Sequence, residues 1–160
     1  MRMSDTFAAL SAALVAAQRD MPAVGRDGVN PAYRSRYMTL DGILAAVIPT
    51  LTRNGIAVVQ SAAIGITDED GRPITITVST RLIHASGEWL ENTAIVPITK
   101  PDAHGVGSAT TYGRRFSLAA MLGIMAEEYD DDGNQAVGPR PVAPPQRLRP
   151  VGREEVRDDR

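Results

Sequence analysis

Cysteine is absent from this 160-residue chain, and histidine, lysine and aromatic residues are scarce. Without thiols there is no disulfide, no zinc–thiolate site and no cysteine nucleophile. His84 and His104 are too few for a histidine-based metal cluster, although carboxylates alone can hold Mg²⁺. No apolar run approaches the roughly 20 residues that a membrane-spanning helix needs. Near the start, Phe7, Leu10, Leu14, Ala17 and Met21 recur at helical spacing between Asp5 and the polar Gln18, Arg19 and Asp20. That pattern reads as an amphipathic first helix and not as a secretion signal, so a cytoplasmic location is expected.

The basic residues are sixteen arginines and the single Lys100. This bias runs the whole length of the chain, so it points to a GC-rich coding sequence and not to one site. A formal charge of −2 does not advertise a polyanion as partner. Its distribution says more: residues 1–133 hold eleven basic and fifteen acidic residues, against six and four in 134–160. Within the first segment, arginines gather at Arg26, Arg34 and Arg36, and again at Arg114 and Arg115. Phosphate binding depends on local groups that displace counterions, so an acidic total does not forbid it.

The expected elements are a helix over 5–20 capped by Ser4 or Asp5, then a polar loop with Pro22, Gly25, Gly28 and Pro31. A second helix is capped by Thr39, broken near Pro49 and closed at Gly55. Strands follow over 56–66, 74–84 and 88–96. The middle one alternates cleanly, with Ile74, Ile76, Val78 and Leu82 on one face and Thr75, Thr77, Ser79 and Arg81 on the other. The turns at Asp68-Glu69-Asp70-Gly71 and Ser86-Gly87 make the three an antiparallel meander. A last helix is expected over 108–122, stopped at Gly123. The order defines an α+β domain, a three-stranded antiparallel β-meander with helices packed on one face, over residues 1–133. The stretch 134–160, rich in proline and arginine with almost no large apolar residue, is expected to be a disordered tail.

Two segments carry chemistry. In residues 30–37, Tyr33 and Tyr37 interleave with Arg34 and Arg36. Rings stack on bases of any identity while guanidiniums track a phosphate backbone, a combination suited to single strands. Equally, both tyrosines can pack on the sheet with the arginines merely solvated. The second segment, 102–134, sets Gly105 and Gly107 before a helix beginning at about Ser108, whose unpaired N–H groups would favour an anion. Tyr112, Arg114 and Arg115 follow one turn further in. Ala109, Tyr112, Phe116, Ala119 and Ala120 form one stripe expected to face the sheet, with Arg114 and Arg115 turned away from it. Glu127, Glu128, Asp130, Asp131 and Asp132 read as a solvated domain end, or as a contact for arginines of a second subunit. They fit no calcium loop, and a metal-dependent nuclease using Asp130–Asp132 ranks last among the functions considered. GVGSATT lacks both the glycine spacing and the lysine of a phosphate loop.

The segments GSATTYGRRFSLAAMLGI followed by EEYDDDGN, and NPAYRSRYMTLDGILAAV before them, resemble the ERF (essential recombination function) family of single-strand annealing proteins, found mostly in phages. The resemblance covers roughly residues 4–134, with Phe116 where the family commonly has tyrosine and Gly113 where it has a side chain. It implies a β-β-β-α core of the Rad-fifty-two-like annealing fold and ATP-independent annealing of complementary strands in homologous recombination. It further implies single-stranded DNA as partner, and a homo-oligomeric ring or filament. No catalytic role, cofactor or metal is implied. The DNA-contacting residues that follow are Tyr33, Arg34, Arg36, Tyr37, Tyr112, Arg114 and Arg115, with Lys100 as a weaker addition. From its composition alone, and not from the resemblance, the tail is expected to recruit a host single-strand binding protein or to modulate DNA affinity. The other reading is a non-annealing DNA- or protein-binding module of the same fold.

Overall fold

A computed structural model of the chain describes residues 1–30 and 35–124. Nine elements follow in order: β1 (Arg2–Met3), α1 (Ala8–Arg19), β2 (Gly28–Asn30), β3 (Ser35–Tyr37), α2 (Leu40–Arg53), β4 (Ile56–Ile64), β5 (Thr75–His84), β6 (Trp89–Pro97) and α3 (Ala103–Leu122). The protein is α+β, with three helices and two antiparallel sheets among the described residues. The expected tail and the 133/134 boundary lie outside those residues.

The main sheet has the strand order β1-β6-β5-β4. Its three long strands are neighbours in chain order, with Leu82 opposite Val58 on one side and Leu90 on the other. The alternation along β5 places Ile76, Val78, Thr80 and Leu82 in the interior. All three helices pack on that face. Leu10 and Ala17 of α1, Ile43, Val47 and Leu51 of α2, and Leu118 and Leu122 of α3 close over Ile56, Leu82 and Leu90. A smaller cluster of Ile76, Val78 and Ala109 fills the other end. Each large side chain fully withdrawn from water contributes about 1.5–3 kcal/mol. The opposite face carries Ser79 and Thr93, whose hydroxyls lie 3.2 Å apart, and the exposed Val59 and Ile95.

A fourth strand and a second sheet are not legible in the sequence pattern. Ser4, expected as a helix cap, instead pairs with the sheet: its N–H donates to the Trp89 carbonyl (3.0 Å) and its Oγ accepts from Trp89 N–H (3.0 Å). Helix α1 therefore begins later, at Ala8, with Phe7 as an N-cap that offers no side-chain bond. Its first turn is satisfied from a distance, since the Glu88 carboxylate accepts from Leu10 N–H at 2.7 Å. A carboxylate there also suits the positive end of the helix.

Thr39 does cap α2, accepting from Gly42 N–H at 3.0 Å. Asp27 in turn accepts from Thr39 Oγ1 (2.7 Å) and, secondarily, from Thr39 N–H (2.8 Å), which holds its carboxyl below the ordinary aspartate value. Pro49 does not break the helix, which runs on to Arg53. Proline removes one N–H, and the carbonyl left without it belongs to Ala45 on the exposed side, where water can replace the lost bond. The buried Val47, Thr50 and Leu51 hold the flanking turns in place.

The largest correction concerns α3. It starts five residues before the expected Ser108, capped by Asp102, whose carboxylate accepts from Gly105 N–H at 2.7 Å. Gly105 and Gly107 are therefore helical, and there is no glycine loop opening onto an anion at Ser108. Gly105, Ala109, Gly113 and Ser117 form the buried row against the sheet, joined by Leu118 and Leu122. Tyr112 and Phe116, expected to face the sheet, are 50 % and 47 % exposed. The reason is distance. A Cβ on Gly105 would run into the Lys100 carbonyl, and one on Gly113 would come within 2.7 Å of Val78 Cγ2 and 2.9 Å of Val96 Cγ2. Large rings have no room on this face.

Gly113→Ala should consequently cost about 1–3 kcal/mol, because two stiff valines must move. A chemical denaturation midpoint equal to that of the wild type would refute the close approach. For Asp27, the lowered native value means that its ionised form adds stability above the ordinary aspartate value of 3.8. This contribution disappears as pH falls from there through the lowered value. The stability deficit of Asp27→Asn should therefore be full at neutral pH and vanish in acid. Thermal melts of both proteins across pH would show it, and a deficit independent of pH would count against the ionised bond.

Candidate nucleic-acid interface

Strands β2 and β3 form a small hairpin in which Tyr37 sits opposite Gly28. The ring lies directly over the glycine, where a Cβ would come within 2.6 Å of it. This glycine is thus needed to let the ring lie flat, and the ring covers backbone that glycine leaves bare. Tyr37 is half-buried as a result, while its neighbour Arg36 is exposed. Tyr33 and Arg34, which fall between the two strands in sequence, lie outside the described residues.

The exposed side of α3 meets this hairpin. The Arg115 guanidinium lies 4.5 Å from the Tyr37 ring, 4.9 Å from Phe116 and 5.6 Å from Tyr112. Its Nη1 donates to the Met38 carbonyl at 3.1 Å. Tyr112 and Phe116, one turn apart, place their ring centroids 4.2 Å from each other at a 34° tilt. The two sequence motifs, separated by more than seventy positions, are therefore joined by one cation among three rings. Such contacts stabilise by about 0.5–1 kcal/mol each where exposed, and by more when water is excluded.

Arg114 is engaged differently. Its Nε donates to Gln60 Oε1 of β4 at 3.2 Å. Gln60 Nε2 donates to the Arg114 carbonyl at 2.9 Å and to Thr80 Oγ1 at 2.8 Å. Neither arginine simply extends into solvent, as helical periodicity alone suggests; both are half-buried. What they leave toward water is a strip of partly exposed rings, beside guanidinium N–H groups that have no partner among the described residues. Rings of this kind can stack on bases, and the forks can take phosphate oxygens.

Lys100 does not join the strip. It is exposed just ahead of the Asp102 cap, about 18 Å of helix rise from Arg115. Two contributors are not evident from sequence. The spacing of Phe116 assigns it to the core, and Gln60 belongs to no motif, although a lone amide in the strand IAVVQSAAI is the available signal. Among the described residues no group of three or more metal-ligating side chains comes together. The acidic residues Glu127, Glu128, Asp130, Asp131 and Asp132 lie outside those residues.

Among the described residues, this α+β domain thus brings the aromatic β2–β3 hairpin against Arg115 of α3, while Arg114 is tied to β4. The chain is a member of the ERF superfamily, whose family model matches residues 10–147. This match agrees with the resemblance carried by the two motif segments. Neither the curated proteins nor the solved structures contain a match to this chain.

Arg115→Ala should destabilise the protein by about 1–2 kcal/mol, through its ring contacts and its bond to the Met38 carbonyl. Arg36→Ala, at an exposed position, should stay within about 0.5 kcal/mol of the wild type. Urea unfolding of the two variants compares them directly, and equal losses would argue against a stabilising role for the Arg115 contacts.

Proposed function

We propose that this protein binds single-stranded DNA and anneals complementary strands without ATP, as a recombination protein of the phage type. One observation carries the reading: Arg115 gathers Tyr37, Tyr112 and Phe116 into a surface strip, with Arg114 beside it. Stacking on rings is indifferent to base identity, and guanidiniums neutralise phosphates without reading sequence. A strand held by its backbone keeps its base edges available to a second strand. Watson–Crick pairing then supplies the specificity, while the protein supplies charge neutralisation and alignment. Membership in the ERF superfamily supports this assignment.

The β4-β5-β6-α3 succession agrees with the β-β-β-α core of the Rad-fifty-two-like annealing fold, and we read it as that fold. One domain of this size covers only about 4–16 nucleotides, by analogy with other single-strand binders. Effective annealing therefore calls for many subunits, in a ring or filament. Tyr33, Arg34 and Arg36 extend the contact along the hairpin, and Lys100 meets a more distant part of the strand. Residues 134–160 recruit a host single-strand binding protein or modulate DNA affinity. The protein acts by binding and not as an enzyme, in the cytoplasm of its host; no helix among the described residues is long and apolar enough to cross a membrane.

Annealing of two complementary oligonucleotides, followed by fluorescence quenching without nucleotide, tests the reading. Acceleration of complementary strands alone is expected. Combining Arg114→Ala with Arg115→Ala should abolish it, and should weaken binding to all sequences alike. The slope of log affinity against log salt should also fall by about 0.7 for each phosphate that is no longer neutralised. Binding of single strands with an unchanged annealing rate would instead favour the non-annealing module.

A further inference from the structure

Gln60 lies outside both motifs, yet its amide grips Arg114 at two points. Oε1 accepts from Arg114 Nε at 3.2 Å, and Nε2 donates to the Arg114 carbonyl at 2.9 Å. The second Nε2 hydrogen reaches Thr80 Oγ1 at 2.8 Å, a hydroxyl that also accepts from Ser117 Oγ at 2.7 Å. A carbonyl only accepts and an Nε–H only donates, so these partners leave the amide one orientation. Thr80 is fully buried and Ser117 is 4 % exposed, so the network is anchored in the core between sheet and helix.

The consequence falls on the guanidinium. With Nε occupied, Arg114 keeps Nη1 and Nη2, which have no partner among the described residues. A guanidinium held at Nε has its plane and direction set before any ligand arrives. Its remaining fork can then take an oxyanion with less loss of rotamer freedom. Arg115 stands in contrast, with one Nη already given to the Met38 carbonyl and its faces covered by rings.

We propose that Gln60 is a positioning residue for Arg114: from β4 it aims the remaining Nη fork at a phosphate of the bound single strand. The inference rests on the DNA-binding reading above. Gln60 never touches the phosphate and acts only through Arg114.

A double-mutant cycle in the full-length chain tests it, with fluorescence anisotropy of a labelled oligonucleotide as readout. Gln60→Ala should weaken binding about fivefold, the scale of one lost hydrogen bond. It should have little further effect once Arg114→Ala is present, because coupled residues are not additive. Gln60→Glu, of equal size, still accepts from Nε but offsets the Arg114 charge, so its affinity and salt slope should both fall. This variant carries the same cycle if Gln60→Ala fails to fold. The Arg114 Nε–H signal in ¹⁵N NMR should be slow to exchange in the wild type and lose that protection in Gln60→Ala. Effects that multiply in the double mutant, or a Gln60→Ala protein that binds as well as the wild type, would overturn the proposal and leave the DNA-binding reading intact. A wild type that binds no single-stranded DNA would sink both.

Discussion

The distance between α3 and the sheet governs most of what this protein presents to its surroundings. Gly105, Ala109, Gly113 and Ser117 form a row of small residues down one side of the helix, and the sheet answers with Val78 and Val96. Because the helix lies so close, no ring fits beneath it, and Tyr112 and Phe116 are turned outward. The same closeness lets Ser117 reach Thr80 and lets Gln60 reach the backbone of Arg114. A helix standing off by one more methyl layer would lose these polar bonds and rotate the aromatic pair. Packing interiors are close to crystal density, so a small shift there is felt at every neighbour along the helix.

From that one placement the two arginines acquire different tasks. Arg115 is a clamp: it binds the β2–β3 hairpin to α3 through Tyr37 and the Met38 carbonyl. Arg114 is held at Nε and at its backbone, and its Nη fork has no partner among the described residues. In sequence the pair looks like two equivalent charges on one helix. Their neighbours across the fold make one mainly structural and the other available, a distinction no local rule supplies. Effects on stability and on DNA affinity should accordingly separate between them, which single-site variants can resolve.

Much of the framework is legible where local chemistry is strong. The period-two pattern of β5 predicts its buried face, since one register alone places Ile76, Val78 and Leu82 inside. Thr39 is readable as a cap, and Gly123 as a helix stop, because their roles depend on neighbours a few residues away; Gly123 does take a left-handed φ of 65°. The failures share a cause. The two glycines near the start of α3 suggest a loop, but the Asp102 cap starts the helix ahead of both, and Gly105 fits closely against Lys100. Pro49 suggests a break, but the packed turns around it keep the helix whole. Ser4 suggests a cap, but the backbone of Trp89, some eighty-five residues away, claims it. In each case a second contact outweighs a propensity of order 1–3 kcal/mol: a local cap for the glycines, tertiary packing for Pro49 and Ser4.

By itself, the sequence determined the α+β class, the three long strands, the two motif segments and the ERF kinship, because hydrophobic period, turn residues and motif spacing are local properties of the chain. Tertiary structure decided which side of α3 meets the sheet, that Tyr37 and Arg115 touch, and that Gln60 belongs with Arg114. The physical reason is that a helix carries several faces of similar composition, and only the shape of the opposing surface chooses among them. Here the choice fell on the face with the smallest side chains, and the rings and guanidiniums were left at the surface.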